Sequence, residues 1–197
     1  MVGLRKKSAD RCNNCLMRKE ICICSDIPNL SIPTRLIVVM TKREIKTPTN
    51  TGRLAAQCLN NSKVLITGDL NAPFTLADHL LSDRPSLVLY PSEDAATLDE
   101  SFSTMGPVNL IVPDGNWRQT SKMHKRIPGM NEFRAVKVPI GPASTYRVRR
   151  ETKPEGLATI EAIARALGIL DGPETQKALE KIFDLMVSRT LASRGIS

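Results

Sequence analysis

The chain has 197 residues, of which 41% are hydrophobic and 24% charged, a composition that fits one globular core with room for a small appendage. Aromatics are only 4%, so the core must be built from Ile, Leu, Val, Ala and Met. No apolar run approaches membrane-spanning length, and Arg5, Lys6 and Lys7 lead straight into cysteines without a secretory pattern, so a cytoplasmic protein is expected. A net charge of +8 favours a polyanionic partner such as nucleic acid.

Four of the five cysteines, Cys12, Cys15, Cys22 and Cys24, follow a C-x2-C-x6-C-x-C spacing. The first pair sets two thiolates on one tight turn, and the second can close a tetrahedron around zinc. An iron–sulfur cluster or a redox dithiol would use the same residues. Structural zinc is favoured because it supplies folding energy to a segment too short for its own core. We expect residues 1–30 to form this module and 31–197 to form the main domain. Cys58 reads as a small buried hydrophobe in a helix.

Arg35 to Met40 is a β-branched run readable as a buried strand. Thr41 to Thr49 reads as a basic loop with Lys42, Arg43 and Lys46, and Asn50-Thr51-Gly52-Arg53 opens a helix reaching about Asn60. A basic loop feeding a helix N-terminus suits an anion, although a solvated loop with an ordinary cap fits equally. Further strands are expected at Lys63–Ile66, Ser86–Tyr90, Val108–Val112 and Ala135–Val138, with an acidic helix starting near Pro91–Asp94. Strands alternating with helices predict an α/β fold, a mostly parallel sheet covered on both faces.

The fourth strand stops at Pro113 and Asp114, Gly115 opens a turn, and a helix follows with Trp117, Arg118, Lys122, Lys125 and Arg126. Ligands of open α/β sheets gather at the carboxyl ends of strands, which makes Asp114 a candidate site residue. The spacing stacks the four cations on one helix face. The same pattern also fits a helix capped by Asp114 or Asn116, a core Trp117 and a solvated basic face. Beyond a basic segment from Ser144 to Glu151, Leu157–Leu167 reads as a helix ended by Gly168, and a last helix starts after Pro173.

Taken together and in order, the cysteine cluster, Asn50-Thr51-Gly52-Arg53-Leu54, Asp114-Gly115-Asn116-Trp117, and Tyr146-Arg147-Val148-Arg149 followed by Gly156-Leu157-Ala158-Thr159-Ile160-Glu161-Ala162 resemble the DTW-domain family. Two positions depart from its pattern: Asn116 stands for the signature Thr, and Ala158 for an expected Ser.

The resemblance implies a tRNA-uridine aminocarboxypropyltransferase on a SPOUT-like, trefoil-knotted core. Such an enzyme moves the 3-amino-3-carboxypropyl group of S-adenosylmethionine to N3 of a tRNA uridine and releases methylthioadenosine. N3 must lose a proton, so Asp114 becomes the expected general base. Trp117 would stack on adenine, stack on the flipped uridine, or buttress the turn. The cofactor cradle implied comprises Leu89, Tyr90, Pro91, Ser92, Leu110, Val112, Pro113, Asp114, Gly115, Trp117, Tyr146, Arg147, Leu157 and Thr159. Lys42, Arg43, Arg53, Arg118, Lys122, Lys125, Arg126, Arg149 and Arg150 would track tRNA phosphates. A SPOUT-like RNA methyltransferase and a non-catalytic zinc-containing RNA-binding protein are the rival expectations.

Overall fold

In the computed structural model, which describes residues 10–69, 73–148 and 156–196, strand β1 (Arg35–Thr41) lies inside a six-stranded sheet. Leu36, Ile37, Val38, Val39 and Met40 are all fully buried, as an uninterrupted apolar run requires when both faces are covered. β2 (Ser62–Thr67) flanks it on one side and β5 (Asn109–Asp114) on the other. β3 (Ser86–Leu89), β6 (Arg134–Lys137) and β4 (Ala96–Thr97) complete the order β2-β1-β5-β3-β6-β4, with every pairing parallel.

Alternate residues divide the core between two layers. Leu36, Val38, Met40, Leu89, Leu110 and Val112 pack with helices α2 (Thr51–Gln57), α5 (Thr159–Leu170) and α6 (Pro173–Ala192). Ile37, Val39, Val88, Tyr90 and Ile111 pack with Met123, borne by α4 (Trp117–Arg126), and with Ile127 and Met130 just after it. No helix among the described residues is long and apolar enough to cross a membrane.

Local chemistry moved several boundaries. Inside the expected loop after β1, Lys42–Ile45 forms one turn of helix, α1, because the Thr41 hydroxyl accepts from the Glu44 amide. The acidic helix starts late: the chain after Pro91 first adds the two-residue strand β4, and α3 (Glu100–Ser103) begins where Asp99 accepts from the Ser101 amide at 2.9 Å. Gly168 does not end α5, which runs to Leu170. It lies against α6, where a Cβ would come within 2.2 Å of the Gln176 side-chain oxygen, so its role is close helix approach. Pro173 begins α6 at its first turn, where a missing N–H costs nothing.

The cysteine segment is docked on the body. Cys15, Met17 and Ile23 are buried in the same core as α2, α5 and α6. The Arg189 guanidinium of α6 donates to the Cys22 carbonyl and pairs with Asp26 at 3.1 Å.

Candidate active site

β5 carries Asp114 to the carboxyl edge of the sheet, level with Met40 of β1. Asp114 is 4% exposed, and its carboxylate receives two donors from distant segments. The Asn50 side-chain amide donates to Oδ2 at 2.6 Å, and the Thr159 hydroxyl donates to Oδ1. Gly52 closes the third side: a Cβ there would sit 2.8 Å from the carboxylate, so only glycine lets α2 start this close. Asn50, itself 2% exposed, also accepts the Arg53 amide at 2.7 Å and thereby caps α2. One asparagine therefore links a helix start to the carboxylate, a role that its reading as a simple helix opener missed.

The surrounding loops are tied to the same edge. The Tyr146 hydroxyl donates to the Thr49 carbonyl at 2.7 Å, and its ring is buried against Phe183. Glu161, also buried, accepts from Ser144, from the Thr145 amide and from the Ala158 amide. That last bond satisfies a helix-terminal N–H from the far side of the turn, so Ala158 in place of Ser costs half a capping box rather than all of it.

Across the sheet, α4 is capped by Asn116, not Asp114. The Asn116 side chain accepts from the Gln119 amide at 3.0 Å, while the Gln119 side chain accepts from the Asn116 amide at 2.7 Å. An amide thus serves the capping role that a Thr hydroxyl would, and asparagine is a good cap. Trp117 is not core filler: it is 54% exposed. Its ring stacks on Tyr90, with centroids 5.6 Å apart and planes 16° from parallel. Tyr90 also stacks on His124, at 4.5 Å and 18°. Trp117 and His124 are seven residues apart, two turns along one helix face, so Tyr90 wedges between them in a three-ring column. His124 Nε2 is buried without a hydrogen-bond partner among the described residues, and burial together with Lys125 pushes the imidazole below its ordinary value.

The expected basic face is formed. Arg118, Lys122, Lys125 and Arg126 are exposed and, with Trp117 and Ser121, line an open groove along α4. Lys42 and Arg43 are exposed on α1, Lys42 in a 2.7 Å pair with Asp69. Arg53 is not part of this surface. It is 8% exposed, and its guanidinium donates to the carbonyls of Asn14 at 2.8 Å and Cys15 at 2.9 Å. It is a strut between α2 and the cysteine segment, and α2's own burial turned it inward. Arg149 and Arg150 lie outside the described residues.

Of the expected cofactor residues, Pro91 and Arg147 are exposed, and Ser92, Gly115, Leu157 and Thr159 are half-buried around the edge. Leu89, Val112 and Pro113 are buried beneath them. Leu110 falls elsewhere: it is fully buried and in register with Leu36 and Leu87, four residues upstream of Asp114. It is sheet core. Tyr146 is likewise buried, with its hydroxyl already committed to Thr49.

The four cysteine sulfurs converge. All lie within 4.8 Å of one another, with Cys12–Cys24 at 3.5 Å and Cys15–Cys22 at 3.6 Å. Tetrahedral thiolate ligands around a metal ion stand roughly 3.8 Å apart, so the set fits one ion. The backbone amides of Cys15 and Asn14 pull the Cys12 thiol down to about 6, favouring the thiolate a metal needs. Burial pushes Cys24 up to about 12. Cys58 stands apart, pushed up to about 12 by burial, its thiol donating to the Leu54 carbonyl.

Several known proteins are similar to this chain. The chain is 25% identical over 189 residues to tRNA-uridine aminocarboxypropyltransferase 2 of Drosophila melanogaster, covering 91% of this chain and 75% of that protein. It is 27% identical to the Mus musculus protein of the same name, covering 86% of this chain but only 60% of the relative. The Arabidopsis thaliana tRNA-uridine aminocarboxypropyltransferase A is 26% identical, with 89% and 79% covered. Among solved structures, the SAM-dependent rRNA:acp-transferase Tsr3 of Vulcanisaeta distributa superposes with a TM-score of 0.48 at 18% identity, over 87% of this chain and 91% of that one. The DTW domain profile matches residues 9–191, nearly the whole chain, and the chain belongs to the DTW-domain family.

Proposed function

We propose that the chain is a tRNA-uridine aminocarboxypropyltransferase that uses S-adenosylmethionine on a SPOUT-like core. The observation that carries this reading is the convergence on Asp114 of two other family segments, one through Asn50 and Gly52 and the other through Thr159. S-adenosylmethionine supplies an electrophilic carbon beside its sulfonium, with methylthioadenosine as the leaving group. Asp114 takes the N3 proton as the uridine nitrogen bonds to that carbon and the carbon–sulfur bond breaks. Asn50 and Thr159 each occupy one lone pair of the carboxylate, which fixes its plane and leaves a second on each oxygen for the substrate. Tyr90 to Ser92, Val112 to Gly115, Arg147, Leu157 and Thr159 form the cofactor cradle, whose orientation selects the aminocarboxypropyl carbon over the methyl. Lys42, Arg43 and the α4 cations, with Arg149 and Arg150, hold tRNA phosphates. The four thiolates hold structural zinc, a donor set with no position left for substrate.

A second reading has its own support: at 4% exposure Asp114 is an organiser of the edge rather than the base. Incubation with unmodified tRNA and S-adenosylmethionine, read by mass spectrometry, separates the possibilities. An aminocarboxypropyl uridine with methylthioadenosine supports the transferase. A methyl adduct with S-adenosylhomocysteine, or no adduct with tRNA still bound, overturns it. Asp114→Asn keeps the shape and tRNA binding; a base role predicts a turnover loss of about 100-fold or more. A loss smaller than about tenfold favours the organiser.

A further inference from the structure

We propose that Glu161 is a positioning residue for Asp114: its single carboxylate sets the placement of both groups that hold the Asp114 oxygens, Thr159 on one side and Asn50 on the other. That the positioned carboxylate serves aminocarboxypropyl transfer rests on the transferase reading above.

Glu161 is 7% exposed and stands in the first turn of α5. Burying a carboxylate is costly unless its oxygens are hydrogen-bonded. Here the donors are backbone amides and hydroxyls, and no ion pair to Glu161 occurs among the described residues. The two oxygens divide the backbone donors between distant points of the chain. Oε2 accepts from the Ala158 amide at 2.7 Å, three residues back, and Oε1 from the Thr145 amide at 2.9 Å, sixteen residues back.

From these two points a route runs to each oxygen of Asp114. Ala158 brings no side-chain cap to α5, so the Glu161 bond fixes the chain as it enters the helix. The next residue, Thr159, donates its hydroxyl to Asp114 Oδ1. On the other route, Oε2 also accepts from the Ser144 hydroxyl at 2.6 Å, and the Ser144 oxygen accepts from the Tyr146 amide at 3.1 Å. The Tyr146 hydroxyl donates to the Thr49 carbonyl at 2.7 Å, and Asn50, the next residue, donates to Asp114 Oδ2. An ordinary helix clip would need only the Ala158 bond.

Glu161→Gln keeps the volume but leaves one oxygen for two backbone amides, so its NH2 group faces an N–H at Thr145 or at Ala158. The Asn50 side-chain amide, assigned by its loss in Asn50→Asp, reports the Asp114 carboxylate in nitrogen–proton correlation spectra. Its signal should move in Glu161→Gln. It should also move in Ser144→Ala, which cuts the second route alone and is mild enough to fold where Glu161→Gln does not. It should stay in place in Leu76→Ala, which loosens the opposite core layer. With tRNA and S-adenosylmethionine, Glu161→Gln should lower kcat about 10- to 100-fold and leave the tRNA KM within about twofold. Adding Thr159→Val to it should cost much less than Thr159→Val alone, because the two side chains act on one group. An unmoved Asn50 signal overturns the positioning, as do losses that multiply, or an equal fall of kcat in Leu76→Ala. Nucleoside mass spectrometry on the parent keeps the two questions apart. Adduct with an unmoved signal refutes the positioning and leaves the transferase; a moved signal without adduct does the reverse.

Discussion

Asn50→Asp isolates the contact on which the proposed site depends. Aspartate caps a helix about as well as asparagine, so the bond to the Arg53 amide survives. The other end of the side chain changes sign: a donor 2.6 Å from Asp114 Oδ2 becomes a second carboxylate in a buried site. Two such charges repel by about 4–6 kcal/mol at an effective dielectric near 20, unless the pair takes up a proton on folding. Retaining that proton costs about 1.4 kcal/mol for each pH unit above the ordinary carboxylate range. The native variant then binds more protons than its unfolded chain, so its stability falls as pH rises. Urea unfolding beside the parent should show a deficit of about 3–5 kcal/mol near neutral pH that shrinks by roughly 3 kcal/mol toward pH 5. Equal stability of variant and parent at both pH values would refute the Asn50–Asp114 link and the geometry built on it.

Arg53→Met should destabilise by about 2–3 kcal/mol, because the carbonyls of Asn14 and Cys15 lose charged donors, while leaving the salt dependence of RNA binding unchanged. Urea unfolding and salt titration read the two halves of that expectation. Burial holds His124 below its ordinary value, so the unfolded chain binds more protons as pH falls below about 6.5, and stability present above that point is lost. His124→Phe keeps a ring on Tyr90 and should remove this acid loss, which thermal melts across that window would detect. Cys12→Ser should abolish binding of one zinc equivalent, measured by elemental analysis, and lower the unfolding midpoint.

Much of the scaffold was readable because its signals are local. The apolar run of β1, the strand-to-turn break at Asp114 and the cysteine spacing each lie within a few residues. What escaped was set by distant partners. Asn50 and Thr159 reach Asp114 from 64 and 45 residues away, and nothing in their neighbourhoods announces it. A buried arginine is spelled like a solvated one, so Arg53 joined the basic surface on charge alone. Leu110 was grouped with Asp114 because both lie in one strand, but a strand has a core half and an edge half. Trp117 and His124 are two helical turns apart on α4, but the Tyr90 ring that stacks on both comes from the residue just after β3. At two residues, β4 is below any periodic signal.

Helix α2 has seven residues, too few to hold together in water by itself. Its first turn is fastened by Asn50, whose other end holds Asp114, and its Arg53 and Gln57 side chains are fastened to the backbone around Asn14. The cysteine loop and the carboxylate are therefore both tied to the same short helix, and we expect the two to open together. Hydrogen exchange at the α2 amides would then report a single opening free energy for both, and a metal ion bound by the four cysteines would be expected to tighten the sheet edge as well.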